Sequence, residues 1–402
     1  MDVLTTVEAA VVERARAAPM LANLERWVAV NSGTRNLAGL KQMARLLADA
    51  FAALPGGVAL IKPDLVEAVA ADGRLEPLDH GRHLLLTVRP QAPVQLMFAG
   101  HMDTVYPADH PFQTMRVRDD GMLNGPGAAD MKGGLAAMLA ALGAIERSAY
   151  ANRLGYQVLI NSDEETGSLS SAPLIARVAR GKAAAFVYEP ALADGTLAGV
   201  RGGTGNFSLA VTGRSAHAGR NPEDGRNALV AAAELALRLS QAGGDGLTVN
   251  PARIDGGGPN NVVPASAVLR INFRPASAEA AGRARAAIDA AAKAVAAAHD
   301  VRVTCHGDFN RPAKPIDTAA ERLFGLVRDA GESLGIAVAW RDTGGVCDGN
   351  NIAACGVPVV DTMGVRGGAI HSSEEFMVPE SLPERAALSA LAILRLIERG
   401  TA

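Results

Sequence analysis

The feature that most constrains the fold of this chain is an alternation of strand-like and helical segments between residues 84 and 190. Such alternation predicts a mostly parallel β-sheet with helices on both faces. The strands are predicted at Leu84–Val88, Val94–Gly100, Tyr156–Asn161 and Ala183–Tyr188, with helices at Lys132–Arg147 and Ala172–Arg180. A later apolar segment is predicted to be another buried strand of this sheet, at Val357–Asp361. Apolar spacings of three and four predict further helices over Thr5–Val30, Leu37–Leu54 and Thr318–Leu334.

Between residues 199 and 311 the order of predicted elements changes to β-α-β-β-α-β, the arrangement of a small ferredoxin-like sandwich. The strands are predicted at Asn206–Thr212, Thr248–Asp255, Ala267–Arg274 and Val301–His306, with helices at Gly225–Gln241 and Ser277–Ala298. A chain of 402 residues is too long for one ordinary core. We therefore predict a discontinuous larger domain, residues 1–198 and 312–402, into which the ferredoxin-like domain, residues 199–311, is inserted.

Residues of the types that bind metal ions follow the carboxyl ends of the predicted parallel strands. Loops that leave these ends converge on one crevice of an open α/β sheet, so their side chains are predicted to meet there. Imidazole and carboxylate groups from several loops form a metal cluster, and their number favours two ions over one. In chain order, the candidates are His101 and Asp103, Asp130 after the Gly-rich turn 124–127, Asp163, Glu164 and Glu165, Glu189, and His371.

Each candidate also has an ordinary structural interpretation. His101 could be a hydrogen-bonded histidine at a strand end, Asp130 a helix N-cap, and His371 a loop residue. Glu164 and Glu165 could form a solvated acidic turn, although adjacent carboxylates repel each other unless a cation binds one and the other holds a proton during a reaction. These interpretations fail together, because they require five independent coincidences at matching ends of one sheet.

Five sequence blocks resemble, in the same order, the signature blocks of one enzyme family. They are GHMDTVYP (Gly100–Pro107), GPGAADMKGG (Gly125–Gly134), SDEETGS (Ser162–Ser168), YEP (Tyr188–Pro190) and GAIHSSEE (Gly368–Glu375). The family is the co-catalytic dizinc peptidase family of acetylornithine deacetylase, succinyl-diaminopimelate desuccinylase, aminoacylase-1 and the glutamate carboxypeptidases. The resemblance runs from about Leu24 to the C-terminus, and it is greatest to the glutamate carboxypeptidase branch.

The resemblance implies an aminopeptidase-like fold with two bound Zn²⁺ ions, for which Co²⁺ or Mn²⁺ could substitute. It implies one carboxylate that bridges the ions, two further ligands on each ion, a general base, and a residue that orients a ligand. By this resemblance, Asp130 bridges the two ions. His101 and Glu189 complete one ion, and Glu165 and His371 complete the other. Glu164 is the general base, and Asp103 orients His101. Residues two apart on a strand face the same side, so the Asp103 carboxylate is expected to accept a hydrogen bond from His101. The resemblance also implies a cis peptide bond after Asp130.

The inserted domain of these relatives forms a homodimer and supplies a histidine to the partner's active site. By this resemblance, His217 stabilises the oxyanion across the dimer. Asn261 and Arg274 match positions that hold the substrate carboxylate or the oxyanion, and Arg311 resembles an arginine of the glutamate carboxypeptidases. A guanidinium suits this role because its planar fork binds a carboxylate with two hydrogen bonds. The alternatives are surface salt bridges for the two arginines and a turn position for Asn261.

Two blocks depart from related branches. His101-Met102-Asp103 stands where the auxin-conjugate and aminobenzoyl-glutamate branch has a Cys-x-His pair, which argues against that branch. The segment 343–351 resembles the Gly-rich substrate loop of glutamate carboxypeptidases, but Cys347 and the Asn350-Asn351 pair are not its usual residues. The sequence therefore leaves the side-chain and acyl specificity open.

Charge, apolar runs and cysteine spacing indicate which partners and which compartment to expect. The net charge of −3 gives no reason to expect nucleic acid or an anionic membrane as a partner. The N-terminus lacks a signal-peptide pattern and no apolar run approaches a membrane span, so we expect a cytoplasmic protein. The three cysteines form no CxxC pair and are expected to be buried, reduced thiols: Cys305, Cys347 and Cys355.

The sequence thus predicts a metal-dependent amidohydrolase or exopeptidase acting on a small N-acyl amino acid or short peptide. The bond cleaved is predicted to be the amide to an amino acid with a free carboxylate, as in glutamate carboxypeptidases. One alternative is an N-acyl amino acid deacylase of the acetylornithine deacetylase or aminoacylase type. Another is a catalytically inactive dimeric binding module, which is disfavoured because the base and all five ligand positions are present.

Overall fold

The computed structural model describes residues 4–400 and confirms the predicted α/β fold class. These residues contain ten α-helices: α1 (Thr6–Arg16), α2 (Met20–Val28), α3 (Leu37–Phe51), α4 (Gly133–Glu146), α5 (Ala172–Ala179), α6 (Ala228–Ser240), α7 (Ala278–His299), α8 (Thr318–Ser333), α9 (Asp348–Ala353) and α10 (Ser381–Arg399). Strands in the first half of the chain are β1 (Gly57–Ile61), β2 (Glu67–Val69), β3 (Leu75–Pro77), β4 (His83–Val88), β5 (Val94–His101), β6 (Arg116–Val117), β7 (Leu123–Asn124), β8 (Leu154–Asn161), β9 (Ala184–Val187) and β10 (Ala191–Leu192). The later strands are β11 (Leu197–Arg201), β12 (Thr204–Thr212), β13 (Leu247–Gly256), β14 (Ser266–Pro275), β15 (Arg302–Arg311), β16 (Trp340–Thr343), β17 (Val359–Val360), β18 (Arg366–Gly368) and β19 (Phe376–Met377).

A six-stranded sheet in the order β1-β4-β8-β5-β9-β17 forms the centre of the larger part of the molecule. Strands β8, β5, β9 and β17 run parallel to one another, whereas β4 is antiparallel to both of its neighbours. The apolar runs of β5 and β8 are almost entirely buried, as expected for strands covered on both faces. The carboxyl ends of four adjacent strands therefore lie at one edge of the sheet.

Helix α4 packs closely on this sheet, and its small residues allow the approach. A Cβ on Gly134 would lie 2.1 Å from the carbonyl oxygen of Tyr188, so only glycine fits where the helix crosses the end of β9. The segment Ala128–Glu146 is long and apolar enough to span a membrane, so the expectation that no apolar run approaches this length is wrong. Because 89% of this segment is buried inside the protein, it is a core helix rather than evidence for a membrane span.

A separate four-stranded antiparallel sheet has the order β13-β14-β12-β15 and carries α6 and α7 on one face. This order and connectivity are those of the predicted ferredoxin-like sandwich. Its hydrophobic core is distinct from that of the larger sheet and includes Phe207, Leu235, Phe273 and Ile288. The precise domain limits at residues 198/199 and 311/312 remain a prediction.

Several parts of the fold were not predicted from the sequence, among them helices α9 and α10 and the edge strand β1. The hairpin β2–β3 lies against the small sheet, where Arg270 Nη2 donates to the carbonyl oxygen of Val69 at 2.8 Å. A five-stranded sheet, β10-β18-β19-β7-β6, joins short segments from distant parts of the chain, and β11 pairs with β16. Short strands of two to five residues carry too little periodicity to be recognised.

The cysteine prediction is only partly correct. The described cysteines are free thiols, and Cys347 is buried as expected. Cys355 is half-buried, and Cys305 is exposed. The prediction is wrong for Cys305 because β15 is an edge strand of the small sheet, where the covering layer is incomplete.

Candidate active site

Three adjacent parallel strands deliver predicted site residues to the same edge of the large sheet. Strand β5 ends at His101, β8 leads into the turn that carries Glu164 and Glu165, and β9 is followed by Glu189. The register places His101 opposite Asn161, so the loops leave the sheet at the same level. This is the convergence expected at the carboxyl ends of parallel strands.

Asp130 reaches this edge from an irregular, non-helical turn that precedes α4, and the peptide bond after it is cis, as the resemblance implied. The carboxylate of Glu375 holds this turn in place. It accepts hydrogen bonds from the backbone N–H groups of Gly127, Ala129 and Asp130 at 3.0, 3.0 and 3.1 Å, and from the Tyr106 hydroxyl at 2.8 Å. Glu375 therefore fixes the position of Asp130 without itself facing the other ligand candidates.

The two carboxylate oxygens of Asp130 face different histidines. Oδ1 lies 3.1 Å from Nε2 of His101, and Oδ2 lies 3.3 Å from Nε2 of His371. Glu189 Oε1 is 3.8 Å from the first imidazole nitrogen, and Glu165 Oε2 is 3.2 Å from the second. The structure thus brings the five predicted ligands together in two groups that share Asp130.

The carboxyl and imidazole groups of the cluster have pKa values raised by burial and by one another. Burial raises the pKa of Glu165 to about 8 and also raises the pKa of Glu189. Hydrogen bonds to Asp130 and Glu165 raise the pKa of His371 to about 10. Although burial opposes it, the neighbouring carboxylates, Glu189 first, hold the pKa of His101 well above its usual value.

The donor set fits divalent metal ions. Donor atoms of His101, Asp130 and Glu165 lie within 4.8 Å of one another, as do those of His101, Glu164 and Glu189. Buried Glu189 Oε1 has no hydrogen-bond partner, a costly state that a bound cation would relieve. Imidazole nitrogen and carboxylate oxygen are ligands that zinc binds.

Asp103 supports the site differently from the prediction. His101 Nδ1 lies 3.0 Å from the backbone carbonyl oxygen of Asp103 and 3.5 Å from its Oδ1, so the carbonyl is the nearer partner. The carboxylate accepts hydrogen bonds from the backbone N–H groups of Glu164 and Glu165 and from the Thr34 hydroxyl, at 3.1, 3.2 and 2.7 Å. Asp103 therefore fixes the turn that carries both glutamates as well as the imidazole.

Glu164 is buried beside the cluster and is paired with Arg311. Arg311 Nη2 lies 2.7 Å from Glu164 Oε1 and also donates to the Glu164 carbonyl oxygen and to Ser168 Oγ. Burial raises the pKa of Glu164 to about 7, against the opposing charge of Arg311. A carboxyl group that ionises near neutral pH is suited to accept and release a proton. Arg311 is only 5% exposed, so its contacts favour positioning of Glu164 over the predicted contact with substrate.

His217 and Asn261 lie together but apart from the metal-ligand candidates. Both are exposed, and Ala218 N–H donates to the Asn261 carbonyl oxygen at 2.9 Å. His217 Nδ1 accepts hydrogen bonds from the backbone N–H groups of Gly219 and Arg220. Within the part of the chain that the structure describes, neither residue lines the cavity above the cluster.

The cluster opens into a cavity of about 450 Å³, and Arg274 is part of its wall. The Arg274 side chain donates to Asn272 Oδ1 at 3.0 Å and to the Gly344 carbonyl oxygen at 3.4 Å, which links the small sheet to the Gly-rich loop. Cys347 of that loop also lines the cavity. The structure therefore places Arg274 where a substrate would pass.

Several residues of the site were missed by the sequence analysis. Arg201 lines the cavity and is held by Asp361 through Nε and Nη2 at 2.8 and 3.2 Å, while Lys314 Nζ lies 3.2 Å from the same carboxylate. Asp361 ends a predicted strand, so the rule that found the other acids could have found it. Glu375 stood in a recognised block but had no assigned role, and Arg341 also lines the cavity.

The chain is similar in sequence and in fold to known proteins. Residues 97–395 match the model of peptidase family M20/M25/M40. The chain is 31% identical to carboxypeptidase G2 of Pseudomonas sp. (strain RS-16) over 79% of this chain and 77% of the relative. It is 28% identical to the succinyl-diaminopimelate desuccinylase of Verminephrobacter eiseniae (strain EF01-2) over 70% of this chain and 74% of that protein. A tripeptidase structure from Staphylococcus aureus shares the fold with a TM-score of 0.71, at 24% identity, over 96% of this chain and 99% of the other.

Proposed function

This chain belongs to peptidase family M20/M25/M40, whose members are metal-dependent hydrolases of carbon–nitrogen bonds, and we propose that it hydrolyses the amide bond to an amino acid with a free α-carboxylate. The observation that carries the proposal is the division of Asp130 between two histidines. In this arrangement Asp130 would hold two zinc ions, which His101 and Glu189 on one side and Glu165 and His371 on the other would complete. Such ions acidify a water molecule and polarise a carbonyl group.

Glu164 would act as the proton carrier of the reaction. Its carboxyl group is buried at the edge of the cluster and has a pKa raised to about 7 by burial. It can therefore take a proton from the attacking water and deliver it to the nitrogen of the leaving amino acid. Arg311 holds one oxygen of Glu164, so the other oxygen is the one available to the reactants.

The substrate class is supported by the cavity wall and by the relatives. Arg274 lies in the wall with no acidic partner within ion-pair distance in residues 4–400, so its guanidinium is available to a carboxylate. The similarity to carboxypeptidase G2 favours cleavage of a C-terminal amino acid. The similarity to succinyl-diaminopimelate desuccinylases supports the second candidate, removal of an acyl group from an N-acyl amino acid.

A substrate panel on zinc-loaded protein tests the proposal. Hydrolysis of a dipeptide with C-terminal glutamate, an aromatic acyl-glutamate and N-acetylornithine would be compared, with free amino acid as the readout. Chelation should abolish turnover and added zinc should restore it. Asp130→Ala should lose at least one ion and nearly all activity. Turnover that survives exhaustive chelation, or zinc binding with no turnover across the panel, would contradict the proposal.

We further propose a homodimer in which His217 acts on the partner's active site. Its exposed position with Asn261, outside the cavity of its own chain, supports this arrangement. In that role the imidazole would stabilise the oxyanion, a contribution commonly worth about 3–4 kcal/mol.

Subunit mixing tests the shared site. His217→Ala and Glu164→Ala homodimers should each be nearly inactive, whereas exchange between them should restore activity at sites that combine an intact Glu164 with an intact partner His217. Mixed dimers of verified composition that stay inactive would place His217 in its own subunit or outside catalysis.

A further inference from the structure

The cavity above the cluster carries more positive charge than one substrate carboxylate requires. Four acidic side chains line it, and each belongs to the metal-ligand cluster or is the proposed base. Four arginines line it as well: Arg201, Arg274, Arg311 and Arg341. Divalent ions held by the carboxylates would therefore leave the cavity cationic overall, which favours a substrate with more than one negative charge.

Two of these arginines are already neutralised by buried acids. Arg201 forms a two-pronged ion pair with Asp361, which is fully buried, and Arg311 pairs with Glu164. Because removing a buried arginine from its carboxylate is costly, neither guanidinium is free to bind substrate. The remaining positive groups are those of Arg274 and Arg341.

Arg341 is held on a strand rather than on a loop. It lies on β16 opposite Ala198 of β11, and the next residue, Asp342, points away and accepts a hydrogen bond from Val200 N–H at 2.9 Å. Successive side chains of a strand face opposite sides, and Thr343 lines the cavity together with Arg341. The strand therefore directs the Arg341 side chain to the cavity.

The Arg341 guanidinium has no hydrogen-bond or ion-pair partner among residues 4–400. The nearby carboxylate of Asp194 accepts a hydrogen bond from Thr196 N–H at 2.9 Å and lies outside ion-pair distance of Arg341. Apolar side chains also line the cavity, among them Leu192, Leu197, Val346 and Ile370. A guanidinium with apolar side chains nearby suits a carboxylate carried on a short methylene chain, because the methylene groups can pack against the apolar side chains.

We propose that Arg341 binds a second carboxylate of the substrate, so that the preferred substrates are N-acyl amino acids with two carboxylates. This inference rests on the proposed function and names its substrate class. Arg274 binds the α-carboxylate, and Arg341 binds the carboxylate of either the amino-acid side chain or the acyl group. Both positions present the same carboxylate group, and pairs of substrates that differ only at one position distinguish the side chain from the acyl group.

The test compares each charged substrate with its neutral isostere. One pair is N-acetylglutamate and N-acetylglutamine, and the other is N-succinyl-leucine and N-succinamoyl-leucine. Wild-type protein should prefer the charged member of one pair by about 10- to 100-fold in kcat/KM, the size of a charge-assisted hydrogen bond. Arg341→Ala should reduce that ratio to about 1 and leave the neutral member nearly unchanged. Arg322→Ala, which removes an exposed arginine outside the cavity, should keep the wild-type ratio.

Three of the results that would overturn the inference come from the substrate pairs. They are equal rates for both members of each pair in wild type, a preference that survives Arg341→Ala, and equal losses for charged and neutral members. Asp194→Asn with the same effect as Arg341→Ala would likewise show that Arg341 has a structural role. Binding of the same pairs to zinc-loaded Glu164→Gln, measured by calorimetry, separates this inference from the proposed function. A preference in binding that depends on Arg341, in a protein that hydrolyses nothing, would reject only the proposed reaction.

Discussion

Replacing Glu375 by glutamine should loosen the metal centre without touching a ligand candidate. The carboxylate of Glu375 is 1% exposed and accepts four hydrogen bonds, three of them from the backbone of the turn that ends in Asp130. An amide has one acceptor oxygen where the carboxylate has two. Its NH₂ group would face either the N–H groups of Ala129 and Asp130, or the N–H of Gly127 and the Tyr106 hydroxyl.

The orientation with the NH₂ group toward Gly127 and Tyr106 is the less costly of the two, so it determines the expected loss of folding free energy. The Tyr106 hydroxyl can turn to accept a hydrogen bond, but Gly127 N–H would be left buried and unpaired, at a cost of about 1–3 kcal/mol. The other two N–H groups would exchange an ionised acceptor for a neutral one. We expect a total loss of about 3 kcal/mol, which for a chain of this size lowers Tm by roughly 3–4 °C. Loss of a residue that orients a ligand should also weaken zinc binding by about 10- to 100-fold.

Glu374→Gln is the matched control, because this neighbouring side chain is 70% exposed and its one ion-pair contact is 4.0 Å from Arg118. Zinc affinity would be measured by competition with a chelator of known affinity, and Tm by scanning calorimetry with and without zinc. Glu374→Gln should match wild type in both. If Glu375→Gln also matches wild type in zinc affinity and Tm, then Glu375 does not position Asp130.

Three further predictions concern the base, the anchor and the terminal helices. Glu164→Gln should keep two zinc ions and lower kcat by about 10²- to 10⁴-fold, and loss of an ion on metal analysis would show instead that Glu164 is a ligand. Arg274→Lys should impair substrates with a free α-carboxylate much more than their amides, since an ammonium group cannot make the two-pronged contact, and equal losses in kcat/KM would assign Arg274 a structural role. Burial raises the pKa of Glu8, but hydrogen bonds from Thr5 and Arg395 outweigh burial and lower this pKa below its unfolded-state value of 4.5. The ionised Glu8 carboxylate therefore stabilises the folded protein above pH 4.5, and this contribution is lost as pH falls through the lower folded-state pKa. Glu8→Gln should therefore cost about 1–2 kcal/mol at pH 7 and progressively less below pH 4.5, and a pH-independent difference in Tm would contradict this assignment.

Most long periodic segments were predicted from the sequence, although α10 was not, and most of the short strands were not. The alternation between residues 84 and 190 predicted β5, β8 and β9, because runs of buried apolar residues fit only a sheet covered on both faces. Strands such as β7, β18 and β19 contain two or three residues and pair only through tertiary contacts. Yet this five-stranded sheet is what joins the turn of Asp130 to the loop of His371, since β7 pairs with β19 and β19 with β18.

Most ligand candidates were predictable because they follow a strand end, and Asp130 because it follows a Gly-rich turn, but their supporting contacts were not predictable. The contact between Glu375 and Asp130 joins residues 245 positions apart, and no periodicity reports such a contact. Asp103 was expected to hold His101 through its carboxylate, but its carbonyl oxygen is the nearer partner of the imidazole, and the carboxylate also accepts two backbone N–H groups of the glutamate turn. A sequence pattern reports residue type and direction, whereas the choice among several nearby donors depends on packing.

Arg311 connects the small sheet to the chemistry of the larger one. It is the last residue of β15, so its backbone belongs to the four-stranded sheet, and its side chain holds both the carboxylate and the carbonyl oxygen of Glu164. Arg274 is also carried by that sheet and reaches the Gly-rich loop of the larger part through Gly344. The orientation of the small sheet therefore sets the position of the proposed base and of the proposed carboxylate anchor together. A substrate that binds Arg274 would fix this orientation and, through β15, the placement of Glu164.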